Sequence, residues 1–184
     1  MRRTRRLLPN HANQPRTAVR TFSRRLRDRA IVLFETVIIK VLQRYWRFSR
    51  GLTMGAQGVV LKPDNAVLLI RHAYRPGWHF PGGGVEKRES ALVALKRELI
   101  EEAGVTFDDA PELFGLYSHH PVYPGDHVAL FVVRSWTQSH VPKPNVEIAE
   151  QGFFQLDALP DGTHPSTRRR LIEVLQSGAR SDVW

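Results

Sequence analysis

Gly83-Gly84-Val85-Glu86-Lys87-Arg88-Glu89-Ser90-Ala91-Leu92-Val93-Ala94-Leu95-Lys96-Arg97-Glu98-Leu99-Ile100-Glu101-Glu102-Ala103-Gly104-Val105 is the stretch on which the reading of this 184-residue chain turns. Leu92, Leu95 and Leu99 recur at steps of three and four, and Gly104 follows at once, so a helix over 90–103 with a glycine stop is predicted. On that helix Glu98, Glu101 and Glu102 stand at i, i+3 and i+4, within about 100° of arc. Three like charges on one stripe repel and destabilise an isolated helix. A hard divalent cation supplies the missing reason, because Mg²⁺ and Mn²⁺ prefer carboxylate and carbonyl oxygens. The leucines lie about 100° around from the acids, so one side presses on a sheet while the acids face a cleft. The preceding Gly82-Gly83-Gly84 is read as a loop with unusual backbone freedom, where a metal or ligand approaches the main chain closely. Metal ions bridging phosphate oxygens neutralise their charge and orient water for in-line attack at phosphorus. The residues therefore point to a metal-dependent phosphoanhydride hydrolase.

Outward from that segment, the chain reads as an α+β domain. Residues 53–62 form a strand that ends at the turn Pro63-Asp64-Asn65, and 66–71 form a second, giving an expected hairpin. Arg75-Pro76-Gly77 breaks the chain before Trp78-His79-Phe80. Strands are expected at 113–118 and 128–134, a short one at Phe153-Phe154, and a closing helix over 167–176. The irregular alternation of strands and helices favours a mixed α/β/α sandwich over a βαβ repeat.

The composition narrows the chemistry. There is no cysteine, so thiolate metal sites, disulfides and cysteine nucleophiles are excluded, and a reducing, cytoplasmic location is permitted. The formal net charge of +9 is unevenly distributed: residues 1–50 hold 14 Lys+Arg against Asp28 and Glu35, whereas 51–184 hold 13 basic and 16 acidic residues. Basicity that would suggest a nucleic-acid partner thus belongs to an arm, not to the globular part. Residues 1–23 read as a disordered basic tail. Residues 24–50 read as an amphipathic basic helix, its apolar face (Leu26, Leu33, Val37, Val41 and neighbours) expected to pack on the domain, to self-associate, or to lie peripherally on an anionic membrane. An organelle-targeting leader is a further alternative. The apolar run Ala30 to Ile39 is too short to span a bilayer.

The helical segment resembles the Nudix box, G-x5-E-x7-R-E-U-x-E-E-x-G-U with U aliphatic. Gly83, Glu89, Arg97, Glu98, Leu99, Glu101, Glu102, Gly104 and Val105 fill every defined position. The resemblance extends over roughly 52–177 and implies a Nudix-type α/β/α sandwich with a mixed sheet, occupying 51–184. It implies that Glu98 and Glu102 are the principal Mg²⁺ or Mn²⁺ ligands, with Glu101 and the Gly82 carbonyl as further ones, and that Glu89 pairs with Arg97 to orient the box. The general base is a box glutamate, Glu98 or Glu101, or a glutamate on a later loop, Glu147 or Glu150. Gly83 and Gly84 are candidate substrate contacts, and Arg71 is a candidate for phosphate or base contact.

The expected reaction is hydrolysis of a nucleoside diphosphate linked to another moiety. A small nucleotide such as a nucleotide sugar or ADP-ribose ranks above an RNA 5′ end, because the domain itself is net acidic. The remaining alternative is a non-catalytic module that keeps the fold and is recruited by its basic arm. All the box carboxylates are present, which argues against it.

Overall fold

Val128 to Val133 are all buried, the pattern of a strand covered on both faces. They belong to β7 (Asp126–Val133), which lies parallel to β1 (Thr53–Val60). The computed structural model describes residues 51–176 and 178–184. The basic tail over 1–23 and the amphipathic helix over 24–50 lie outside the described residues. No helix of the described residues is long and apolar enough to cross a membrane.

The other elements are β2 (Val67–His72), β3 (Trp78–His79), β4 (Gly82–Gly84), helix α1 (Ala91–Ala103), β5 (Val105–Thr106), β6 (Glu112–Ser118), β8 (Thr137–Gln138), β9 (Ile148–Phe154) and helix α2 (Pro165–Gln176). One mixed sheet has the order β4-β1-β7-β6, a second the order β3-β2-β9, and β5 pairs with β8. Alternate residues of β1 and β7 enter opposite cores. Ala56, Val60, Ala129, Phe131 and Val133 meet Leu95 and Leu99 of α1, while Val59, Leu130 and Val132 meet Leu171 of α2. The fold is thus the expected α+β sandwich with a mixed sheet.

Helix α1 begins where the Ser90 hydroxyl accepts the Val93 N–H and ends at Gly104, whose φ of 66° is left-handed. Leu95 and Leu99 are fully buried, each contributing about 1.5–3 kcal/mol to docking the helix on the sheet. The acids of the same helix are therefore carried on a rigid element.

Three local expectations are corrected. Gly82-Gly83-Gly84 is not a loop but β4, paired antiparallel with Gly55 to Gln57. Three glycines carry no β signal of their own, and the pairing partner supplies the strand. The turn at Pro63 to Asn65 forms, with Asn65 at φ 64°, but β1 and β2 share only the bridge Leu61 to Val67 before entering different sheets. The strand at Phe153-Phe154 extends back to Ile148 because β2 templates it along most of its length.

Candidate active site

A cleft of about 720 Å³ is lined by all three glycines of β4, by Glu98 and Glu102 of α1, by Glu147 and by the loop after β2. This is the size range of nucleotide and cofactor sites. Strand β4 brings the glycine backbone against α1. The Gly82 N–H donates to Glu102 Oε2 at 2.7 Å. A Cβ at Gly83 would overlap the Glu98 carboxylate.

Arg97 organises the rest of the box. Its Nε and Nη2 donate to the two oxygens of Glu89 at 3.1 and 3.0 Å, its Nη1 to Glu98 at 2.6 Å, and its Nη2 also to the Gly84 carbonyl at 3.1 Å. The Arg97 hydrogen bond, helped by the Glu86 N–H, holds Glu89 below the usual carboxylate range, and the two carboxylates raise Arg97 further. The Glu89–Arg97 pairing expected from the sequence is therefore present in the geometry, and it fixes Glu98 as well.

The three box acids separate. Glu98 and Glu102 line the cleft, but Glu101, with a 60%-exposed side chain, turns outward at 3.6 Å from Arg97. Among the described residues no three His, Asp or Glu side chains are drawn together as a closed metal site. The donor chemistry nevertheless fits a divalent ion. Glu102 is only 6% exposed, and burial, with Glu98 and Glu147 nearby, pushes its carboxyl up to about 8, the Gly82 N–H and Arg75 opposing this only in part. A buried carboxyl beside two others is short of positive charge, which a hard cation supplies.

This has a measurable consequence. A carboxyl raised from about 4.5 to about 8 contributes stability that is fully present below the unfolded value and is lost as pH rises through the folded one. Metal-free protein should therefore melt at progressively lower temperature from about pH 5 to about pH 8 and level off above that. Added Mg²⁺, which competes with that proton, should raise the melting temperature more at pH 9 than at pH 7. A metal-induced shift that is larger at pH 7 would remove Glu102 from the metal set.

Of the loop candidates, Glu147 lines the cleft. Its position is set at the start of β9 by the Asn145 side chain, which accepts the N–H groups of Glu147 and Ile148, each at 2.8 Å. Glu150 does not reach the cleft. It forms a surface ion pair with Arg71 at 2.8 Å, the two side chains 54% and 45% exposed, as cross-strand partners on β9 and β2. Arg71 is thus taken up by Glu150 and is not among the cleft residues. Trp78 and Phe80 are core residues.

Among the described residues the Lys or Arg that lines the cleft is Arg75, which the sequence marks only as part of the Arg75-Pro76-Gly77 chain break. Its Nη2 donates to His72 Nε2 at 2.9 Å, and its Nε is buried without a partner. His72, His79 and His164 line the same region. Burial first, then Arg75, lowers His72 and His79 to about 4 and lowers His164, so these imidazoles are neutral at pH 7 and leave Arg75 as the local positive charge. The loop carrying it is pinned by the His79 Nε2 bond to the Pro76 carbonyl at 2.9 Å and by the Ala73 N–H to the Glu147 carbonyl at 2.8 Å. The available signal was the Arg-Pro-Gly break itself, flanked by two histidines and set between a strand and the glycine run.

Comparison with known proteins agrees with this geometry. A family model described as NUDIX domain matches residues 52–175. The RNA pyrophosphohydrolase of Caulobacter vibrioides is 53% identical across 68% of this chain and 87% of that one. The RNA pyrophosphohydrolase of Halorhodospira halophila is 34% identical across 52% of this chain, which spans only 43% of that relative's length. Among solved structures, a MutT NUDIX hydrolase from Burkholderia pseudomallei superposes with a TM-score of 0.57 at 25% identity, covering 66% of this chain and 97% of that one.

Proposed function

The chain belongs to the NUDIX domain family, and from that premise we propose that it is a metal-dependent pyrophosphohydrolase acting on a small nucleoside diphosphate derivative, a nucleotide sugar or ADP-ribose. The observation that carries the reading is the cleft, in which Glu98, Glu102 and Glu147 face the same space as Arg75 and the glycine backbone of β4.

Glu98 and Glu102, with the Gly82 carbonyl, are the groups that would hold Mg²⁺ or Mn²⁺. When bound, the ion neutralises the diphosphate oxygens and makes phosphorus more electrophilic. Arg97 locks Glu98 in place. Arg75, which lines the cleft, binds a phosphate of the substrate through its guanidinium N–H groups, a charge-assisted contact. Glu147 accepts the proton of the attacking water as its oxygen bonds to phosphorus and the bridging P–O bond breaks, releasing two phosphate-bearing fragments. Glu101, turned out of the cleft, modulates Arg97 and is not the base.

Arg75 and Arg71 make a paired test. Arg75→Ala should raise KM about 10- to 100-fold, the worth of a hydrogen bond to a charged group, whereas Arg71→Ala should leave kcat and KM within twofold of the parent. Equal effects of the two substitutions would remove Arg75 from the substrate site.

A second reading, hydrolysis at a 5′-triphosphorylated RNA end, is favoured by the names of the Caulobacter and Halorhodospira relatives. Phosphate contacts along an RNA make binding steeply salt-dependent, and residues 51–184 hold 13 basic against 16 acidic residues. Measurement of kcat/KM for ADP-ribose, UDP-sugars and a short triphosphorylated RNA separates the readings. The small-nucleotide reading expects the highest value on a nucleotide sugar or ADP-ribose with little salt dependence, and a preference for RNA would overturn it.

A further inference from the structure

Beyond α2, residues 178–184 return along the sheet. Val183 makes a parallel bridge to Ser118 of β6. The Ser118 N–H donates to the Asp182 carbonyl at 2.8 Å, and the Trp184 N–H to the Ser118 carbonyl at 2.9 Å. The segment thus runs as a strap that pairs with the end of the outer strand of the four-stranded sheet at Ser118.

Its path is specified by a buried ion pair. Arg170 (1% exposed) meets Glu173 at 2.7 Å, and a pair so buried is costly unless its remaining donors and acceptors are used. Here the strap backbone uses one from each partner, while Arg170 Nε is buried without a partner. Arg170 Nη1 donates to the Val183 carbonyl at 3.2 Å, and Glu173 Oε1 accepts the Ser181 N–H at 3.2 Å. The other carboxylate oxygen accepts the Tyr117 hydroxyl at 3.0 Å. Arg180 lies over the Phe114 ring at 3.9 Å and donates to the Phe114 carbonyl. The result is that Trp184 sits edge-on to Tyr117, with ring centroids 5.6 Å apart, and forms part of the cleft wall.

Strand order gives this wall its meaning. The carboxylates and glycines stand at the β4 edge of the sheet, and Trp184 is delivered at the β6 edge. Three strand spacings separate those edges, about 14 Å, room for a nucleoside laid out from its diphosphate. An indole fixed at the end remote from the phosphate chemistry presents an apolar, π-faced surface. We propose that Trp184 is a specificity-determining residue on which the substrate's nucleobase packs. The inference rests on the nucleotide-hydrolase reading and adds which part of the substrate the strap recognises.

The test uses the full chain labelled with 5-fluorotryptophan. Its four tryptophans give separate fluorine resonances, and that of Trp184 is assigned by its absence in Trp184→Phe. Titration with AMP, GMP, CMP and UMP should shift the Trp184 line saturably for at least one nucleotide, and ribose 5-phosphate, which lacks a base, should not. In hydrolysis of the best substrate, Trp184→Ala should raise KM about 10-fold with kcat retained, the scale of one base–aromatic stack, and Trp184→Phe should restore most of the loss. A Trp184 line unmoved by every mononucleotide, or moved equally by ribose 5-phosphate, overturns the proposal, and the unsubstituted chain decides this even if Trp184→Ala does not fold. Failure of the hydrolase reading looks different: no Mg²⁺-dependent product forms, while the Trp184 line still responds to a mononucleotide.

Discussion

Glu102→Gln is expected to lower kcat for Mg²⁺-dependent diphosphate hydrolysis by about 10²- to 10³-fold, the scale of removing a preorganised electrostatic group at the reacting centre. The substitution keeps the side chain's length and an oxygen able to accept the Gly82 N–H, now 2.7 Å from Glu102. It removes the charge that burial, Glu98 and Glu147 disfavour in the metal-free fold. The melting temperature without metal should therefore be unchanged or raised, while the stabilisation by Mg²⁺ should shrink. Loss of activity accompanied by loss of the metal-free fold would assign Glu102 to structure and not to metal binding. Retention of full activity would remove it from the site.

Gly82→Ala should have the largest effect on stability, about 3 kcal/mol or more, read as a fall in the urea midpoint at constant slope. Gly82 has φ 141°, and an added Cβ would run into the Ala56 carbonyl and the Gln57 backbone of β1. Backbone atoms of a central strand cannot rotate away as a flexible side chain does. The substitution must push β4 off β1, and with it the N–H that holds Glu102. Gly84→Ala is the control, because a Cβ there meets nothing within 4 Å, and it should stay within about 0.5 kcal/mol of the parent. Comparable losses from the two alanines would mean that the close approach at Gly82 is not what fixes β4.

Much of this fold was legible in the sequence because the relevant signals are local. The leucine period, Ser90 and Gly104 define α1, and β1 and β7 read as strands from their own apolar residues. The strand at the glycine run is not legible locally, because its extended conformation comes from pairing with Gly55 to Gln57, a contact between segments about 27 positions apart along the chain. The pairing of Glu89 with Arg97 is what the resemblance to the Nudix box implies, and the two side chains meet at 3.0 Å. Which acids share a cleft did not follow from spacing alone: Glu101 lies within the predicted stripe yet faces outward, and Glu102 is drawn inward by the Gly82 N–H. Arg71 and Arg75 were indistinguishable by type. The β2–β9 register gives Arg71 a carboxylate opposite it, while the break after β2 turns Arg75 into the cleft. Trp184 carried no sequence signal at all, since its place depends on a buried pair in α2 and on the edge of β6.

The central claim is tested most directly by incubating the protein with ADP-ribose and a set of UDP-sugars, with Mg²⁺ or with EDTA, and identifying the products by mass. The account predicts metal-dependent cleavage between the two phosphorus atoms, giving a nucleoside monophosphate and a sugar phosphate, abolished by EDTA and strongly reduced in Glu102→Gln. Product formation that is indifferent to the chelator, or equal in Glu102→Gln and the parent chain, would contradict it.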